Sequence, residues 1–127
     1  MSGTVVTIKA KKKMLQARAG IISQLPHISH MAFGDGGVDS NGNVIEFSPN
    51  ATALHHERLR KAIDGYQVIS DTCIRYSATI EEDELAGEYI SECGLIDSAG
   101  DFMALKSFMK KGKDAGIEVI FECDDTF

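Results

Sequence analysis

The feature that most constrains the fold is an apolar segment that passes directly into closely spaced glycines. Residues 28–33 read Ile-Ser-His-Met-Ala-Phe, and Gly34, Gly36 and Gly37 follow at once. Apolar and aromatic residues of this kind favour a strand, and glycines let the backbone turn where other residues would be strained. The pattern predicts a short strand that ends in a tight corner.

More strands are predicted in the second half of the chain. The segment from Ile74 to Ile80 alternates apolar and polar residues, which is typical of a half-buried strand. The segments 89–96 and 102–108 flank Asp97-Ser98-Ala99-Gly100-Asp101, whose residues favour a turn, so we expect a hairpin. Residues 117–123 alternate again and predict a last strand.

Two helices are predicted earlier in the chain. Apolar residues recur at helical spacing from Lys11 to Leu25, just before Pro26. Ser48 followed by proline is a typical helix start, and it predicts a second helix over 49–64. His55 falls on the apolar arc of that helix, so we expect it to face the core.

Helices early and strands later favour an α+β fold, in which two helices pack on a mainly antiparallel β-sheet with hairpins. The length of 127 residues suits a single domain over residues 1–127. We expect residues 1–10 to form an extended or mobile N-terminal arm. Asn41-Gly42 is a turn signal that fits either a hairpin or an ordered loop.

Composition argues against several classes of protein. Thirteen basic against nineteen acidic residues give a net charge of -6, so nucleic-acid binding is not expected. No apolar run approaches the roughly 20 residues that span a bilayer, and residues 1–10 lack a signal-peptide core, so we expect synthesis in the cytoplasm and no membrane partner. The three cysteines occur in strand-like segments and are expected to be reduced and buried.

No motif in the chain assembles into a reaction. Gly34-Asp35-Gly36-Gly37 does not lead into a helix, as a phosphate-binding loop would. The segment 39–43 fails the calcium-loop register, because the first and last positions would be glycine and serine. Cys93 has no basic neighbour in sequence that would activate it as a nucleophile. We therefore expect neither catalytic residues nor a cofactor.

Histidines leave one alternative open. In a strand His27 and His30 point to opposite faces, and adjacent histidines diverge by about 100 degrees on a helix, so neither pair alone can hold a metal ion. A site assembled across elements from His30 and His55 would suit a small bacterial ligand- or metal-binding enzyme.

Several segments together carry a family resemblance. They are Leu15-Gln16-Ala17-Arg18-Ala19-Gly20, the stretch from Ile28 to Gly37, Leu54 with Glu57, and Ile90-Ser91-Glu92-Cys93-Gly94-Leu95-Ile96-Asp97 with Gly100-Asp101. In this order and spacing, they resemble the N-terminal attachment domain of bacteriophage tail-collar fibre proteins.

The resemblance implies a non-enzymatic structural component of a phage or prophage tail, resembling the module that attaches tail fibres to the baseplate. The implied partners are baseplate or other tail proteins, the implied location is the virion tail, and a homo-oligomer is expected, with a trimer favoured. Because the chain ends at Phe127, we expect no fibre shaft and no host-recognition tip in it.

A cluster of lysines is the candidate partner interface. Lys11, Lys12 and Lys13 carry the wrong charge for the positive end of a helix dipole. Either the helix begins after Lys13, or these lysines face an acidic partner, or they form a basic face that is simply solvated. Complementary charge would orient docking on such a partner.

Overall fold

Strands dominate the structure. The computed structural model describes residues 4–127, which contain eight strands and one helix. The strands are β1 (Val5–Val6), β2 (Ile28–Gly34), β3 (Glu57–Ala62), β4 (Gly65–Ser70), β5 (Cys73–Ile80), β6 (Glu88–Asp97), β7 (Phe102–Lys113) and β8 (Val119–Thr126). The helix, α1, is Ile8–Arg18. With 49% strand and 9% helix, the predicted α+β fold with two helices on a sheet is wrong.

The strands form two antiparallel sheets. The larger has the order β1-β7-β6-β2-β3, and the smaller has the order β4-β5-β8. The predicted hairpin is confirmed, since β6 pairs with β7 around the turn at Asp97–Asp101. The strands predicted over 28–34, 74–80 and 117–123 are confirmed in β2, β5 and β8, the last of which begins at Val119.

The main core lies between the two sheets. Its side chains come from β2, β5, β6, β7 and β8, because alternate residues of each strand point toward the opposite sheet. The buried members are Met31, Phe33, Ala78, Ile80, Ile90, Cys93, Leu95, Ala104, Phe121 and Cys123. The alternation of β5 and β8 predicted this face correctly.

A second core covers the other face of the larger sheet. Its buried members are Ala32, Phe47, Leu54, Ile96, Phe102 and Leu105. Phe47 and Leu54 belong to the long segment between β2 and β3, which therefore lies over the sheet. Since both of its faces are covered, β6 is buried from Ile90 to Asp97, and neither face of this part of the strand is exposed to solvent.

The predicted helix over 49–64 is wrong. Ser48 does accept a hydrogen bond from the Asn50 N–H at 3.2 Å, but only a turn follows. Residues Glu57–Ala62 form β3 and pair with β2. Because β2 is buried, its outer backbone groups need a partner, and strand pairing outweighs the helical pattern. His55 is consequently exposed, and the prediction that it faces the core is wrong.

The first helix exists but is shifted toward the N-terminus. It begins at Ile8 and ends at Arg18, so Lys11 to Lys13 lie inside it and Ile21 and Leu25 lie beyond it. Part of the arm predicted for residues 1–10 lies outside the described residues, while Val5–Val6 is paired with β7. The loop around Gly42 is ordered, with one bridge between Val38 and Val44.

Candidate partner-binding surface

The α1 helix is fixed to the larger sheet at its first turn. Thr7 is its N-cap and accepts a hydrogen bond from the Ala10 N–H at 3.1 Å. The same hydroxyl donates to the Phe102 carbonyl at 2.8 Å, and the Thr7 N–H donates to the Met103 carbonyl at 3.0 Å. The cap residue thus ties the start of α1 to the start of β7.

One lysine of the predicted interface is used inside the chain. The Lys13 ammonium lies 2.6 Å from a carboxylate oxygen of Asp97 and 2.8 Å from one of Asp101. The Asp97 side chain is fully buried and also accepts the backbone N–H groups of Ala99 and Asp101. Lys13 therefore neutralises a buried charge at the β6–β7 turn, which holds the middle of α1 against the sheet.

The ion pair between Lys13 and Asp101 shifts the pKa values of both groups. Burial on its own would lower the pKa of Lys13, but hydrogen bonds to Asp101 and Asp97 leave it above its ordinary value. The hydrogen bond from Lys13 lowers the pKa of Asp101. Lys9, 3.5 Å from Asp101, adds a second and more exposed cation. The charged forms of Lys13 and Asp101 are therefore favoured near neutral pH.

The opposite side of α1 is open to solvent and mixes cations with apolar side chains. Lys11 and Lys12 are exposed. Leu15, which lies between these lysines and Ile21 in sequence, is 61% exposed. An open cleft of about 590 Å³ on this side is lined by Ile8, Lys11, Lys12, Leu15, Gln16, Ala19 and Ile21. A neighbouring cleft of about 410 Å³ is lined by Lys11, Met14, Leu15, Arg18 and Phe127. We call these residues together the α1 surface.

The lysine motif therefore divides between two roles. Lys11 and Lys12 lie on the α1 surface, whereas Lys13 points at the hairpin. Sequence reasoning missed the apolar part of the surface, since Leu15 and Ile21 count only as members of the apolar pattern that predicts a helix. Gly20 is the signal in the sequence that could have shown that Ile21 lies outside the helix. It follows α1, adopts a φ of +76°, and the helix ends before Ile21.

A buried carboxylate holds the glycine corner in place. Glu92 of β6 is fully buried and accepts backbone N–H groups from Gly36 at 2.9 Å and from His55 and His56 at 2.8 Å. At the same corner the Ser91 hydroxyl accepts the Gly37 N–H at 2.8 Å. Two of the segments that carry the resemblance, the stretch from Ile28 to Gly37 and residues 90–97, are thus in direct contact through Glu92.

The histidines of the alternative hypothesis are not brought together. His30 is half-buried beside Ala62 of β3 and contacts the Ser29 hydroxyl at 2.8 Å. His55 lies at the other end of β2, next to Gly36, and stacks on Phe47 with ring centroids 4.4 Å apart. Within residues 4–127 no group of three or more His, Cys, Asp or Glu side chains could hold a metal ion.

Charged side chains also lie at this end of the larger sheet. The Asp35 carboxylate is hydrogen-bonded to the His56 ring and forms an ion pair with Arg58 at 2.8 Å. Although partial burial alone would raise the pKa of Asp35, these two contacts lower it. In the part of the chain that the structure describes, no helix has the length and apolar character needed to cross a membrane.

Comparison with known proteins identifies the family. The model of the family described as phage tail-collar fibre protein, N-terminal, matches residues 1–119 of the 127. Neither a curated protein nor a solved structure matches the chain. The match covers nearly the whole sequence, including α1, the glycine corner and the β6–β7 hairpin. The chain therefore belongs to the phage tail-collar fibre protein family, as an N-terminal region of that family.

Proposed function

We propose that this chain is a non-enzymatic module of a phage or prophage tail that attaches a tail fibre to the baseplate. It is made in the cytoplasm of the bacterial host and is then incorporated into the virion tail. Membership of a family of structural tail proteins supports the proposal. The partner it binds is a baseplate protein or another tail protein.

The observation that carries the proposal is the α1 surface. Helix α1 is anchored through Thr7 and Lys13, while Lys11, Lys12 and Leu15 point away from the protein. Apolar side chains surrounded by cations suit a partner with an apolar patch and an acidic rim. Docking would bury the apolar residues, and the charges would orient the encounter.

The experiment compares two double variants in binding to purified baseplates of the phage that encodes the chain. Lys11→Glu/Lys12→Glu reverses the charge of the α1 surface and keeps Lys13. Lys110→Glu/Lys111→Glu changes the net charge equally on exposed residues of β7. We expect the affinity of the α1 variant for the baseplate to be lower by a factor of about ten or more, and the affinity of the β7 variant to equal that of the wild type.

Salt supplies a second readout. If the lysines orient docking, wild-type binding weakens as ionic strength rises, and the α1 variant loses part of that dependence. Equal weakening by both double variants would indicate a general charge effect and would exclude the α1 surface. Thermal unfolding of each variant checks that the fold is retained.

We also propose that the module works as a homo-oligomer, for which the resemblance favours a trimer. The support is a set of large apolar side chains that are exposed, among them Tyr66, Ile21 and Phe127, each about two-thirds exposed. Sedimentation equilibrium of the chain gives the number of copies directly. A mass of one copy at every concentration would contradict this part of the proposal.

A further inference from the structure

One acidic residue of β8 lies on the inner face of the smaller sheet. In the antiparallel pair of β5 and β8, Asp125 is opposite Ile74 and Cys123 is opposite Tyr76. Cys123 is a buried member of the main core, and side chains two residues apart on a strand lie on the same face. Asp125 therefore shares a face with the core residues of β8.

The Asp125 carboxylate is half-buried and has no partner in the part of the chain that the structure describes. Among residues 4–127 no group donates a hydrogen bond to it and no cation forms an ion pair with it. Burial raises the pKa of Asp125, and no donor or cation offsets that effect. A carboxylate withdrawn from water in this way destabilises the fold, unless a partner supplies a cation.

A groove of about 270 Å³ is lined by this carboxylate and by side chains of α1, β2, β5 and β7. Its walls are mainly apolar and include Met14, Ile28, Tyr76 and Met103, and the exposed His27 also lines it. The groove thus combines apolar walls with one anionic group. Long basic side chains suit such a site, because their stems cover apolar surface while their charged ends contact polar groups.

We propose that this groove binds a lysine or arginine side chain of the tail protein that docks on the α1 surface. The stem of that side chain lies along the apolar walls, Tyr76 supplies an aromatic surface, and the cationic end forms an ion pair with Asp125. The inference rests on the proposed attachment function and adds a chemical requirement for the partner.

The position of the groove supports this choice of occupant. Met14 and Phe127 line both the groove and the 410 Å³ cleft of the α1 surface, so a partner that covers the cleft also reaches the groove. Lys11 and Lys12 would favour acidic groups of the partner, whereas Asp125 would favour a basic one. Two opposite charges at fixed positions select partners more strictly than one charged patch does.

The first experiment measures binding to purified baseplates. Asp125→Asn keeps the size of the side chain and removes its charge, and we expect the affinity to fall by a factor of about 30 or more. Asp114→Asn is the matched control, because it makes the same chemical change at an exposed residue between β7 and β8. Its affinity should equal that of the wild type.

The second experiment measures stability in the absence of any partner. Asp125→Asn removes an unpaired, half-buried charge, so the midpoint of urea denaturation at pH 7 should rise. A residue that serves only the fold would give the opposite result. Higher stability together with weaker binding is the combination expected of a binding residue.

The third experiment uses the isolated chain and a small probe. Butylammonium carries the charge and the four-carbon chain of a lysine side chain, and butanol is its neutral counterpart. In nuclear magnetic resonance spectra, butylammonium should shift the methyl signals of Met14 and Met103 in the wild type. The shifts should be much smaller with butanol, and smaller again for butylammonium with Asp125→Asn.

Three results would each overturn the inference. They are baseplate binding that Asp125→Asn leaves unchanged, a urea midpoint for that variant no higher than that of the wild type, and methionine shifts no larger with butylammonium than with butanol. The first of these would also be expected if Asp125 only protected the edge strand β8 from pairing. If baseplates do not bind the wild type, the attachment function fails, whereas the butylammonium result still decides whether the groove is a cation site.

Discussion

Gly37 lies so close to Ser91 that a Cβ atom on Gly37 would be 2.0 Å from the Ser91 carbonyl oxygen. The atom in the way belongs to the backbone of β6, a strand that is buried on both faces and cannot move aside. The glycine corner and the β6 segment are 54 residues apart in sequence, yet this contact requires the absence of a side chain. It explains why a glycine occupies position 37.

Gly37→Ala is expected to lower the free energy of unfolding by about 3 kcal/mol or more, because the added methyl group must displace β6 or the corner. Urea denaturation followed by circular dichroism measures the change. Gly112→Ala is the matched control, since the nearest atom to its Cβ is a Tyr89 ring carbon at 3.7 Å. An effect at position 37 no larger than at position 112 would show that the corner is loosely packed.

Glu92→Gln is expected to lower the free energy of unfolding by about 2–4 kcal/mol. The carboxylate accepts three backbone N–H groups, from Gly36, His55 and His56. A glutamine turns one acceptor oxygen into a donor, which leaves at least one buried N–H without a partner. Glu46→Gln changes an exposed residue and should have an effect within about 0.5 kcal/mol.

Sequence predicts the parts of this fold that depend on local pattern. The alternation from Ile74 to Ile80 and the turn residues 97–101 give β5 and the β6–β7 hairpin correctly. The segment 49–64 carries an equally good helical pattern, but Glu92 and the unpaired edge of β2 impose another structure on it. Glu92 is 36 residues from His56, and Phe33 of β2 is 26 residues from its partner Leu59, so spacing alone cannot reveal these contacts.

The candidate site was predictable to a similar extent. The lysine cluster directs attention to α1, and Lys11 and Lys12 are exposed there, but whether they bind a partner stays a prediction. That Lys13 contacts Asp97, 84 residues away, could not be read from charge spacing. Leu15 and Ile21 belong to the apolar pattern that predicts a helix, but such a pattern does not distinguish the core of the same chain from the surface of a partner.

Lys13→Met is expected to destabilise the fold by about 2 kcal/mol at neutral pH. It leaves the buried Asp97 carboxylate without its cation, although the backbone N–H groups of Ala99 and Asp101 remain bonded to it. Lys12→Met, one position earlier in α1 and exposed, is the control and should change stability by less than about 0.5 kcal/mol. Equal effects would mean that Lys13 is not part of a buried ion pair.

Acid is expected to weaken the same turn. The pKa of Asp101 is lowered in the folded protein, chiefly by the hydrogen bond from Lys13. The folded state therefore holds this proton less tightly than the unfolded state. The resulting stability is present above the ordinary pKa of an aspartate and is lost as the pH falls through the lowered one.

Asp101→Asn removes that contribution. The variant should be less stable than the wild type at pH 7, and the difference should shrink between about pH 5 and pH 3. Urea denaturation at several pH values measures it. Asp35 and Asp124 also have lowered pKa values, so the wild type keeps a further acid dependence that the variant shares. A difference that stays constant down to pH 3 would contradict the role of the Lys13 contact.

The three thiols are expected to react with iodoacetamide at very different rates. Cys73 is half-buried at the start of β5, whereas Cys93 and Cys123 are buried in the core between the sheets. A hydrogen bond between the two buried thiols, together with burial, raises the pKa of Cys123, so the reactive thiolate is scarce there. Intact mass spectrometry should show one rapid alkylation in the native protein and three in urea. Peptide mapping should place the rapid one at Cys73, and rapid native labelling of Cys123 would mean that β8 separates from β6 and exposes the core.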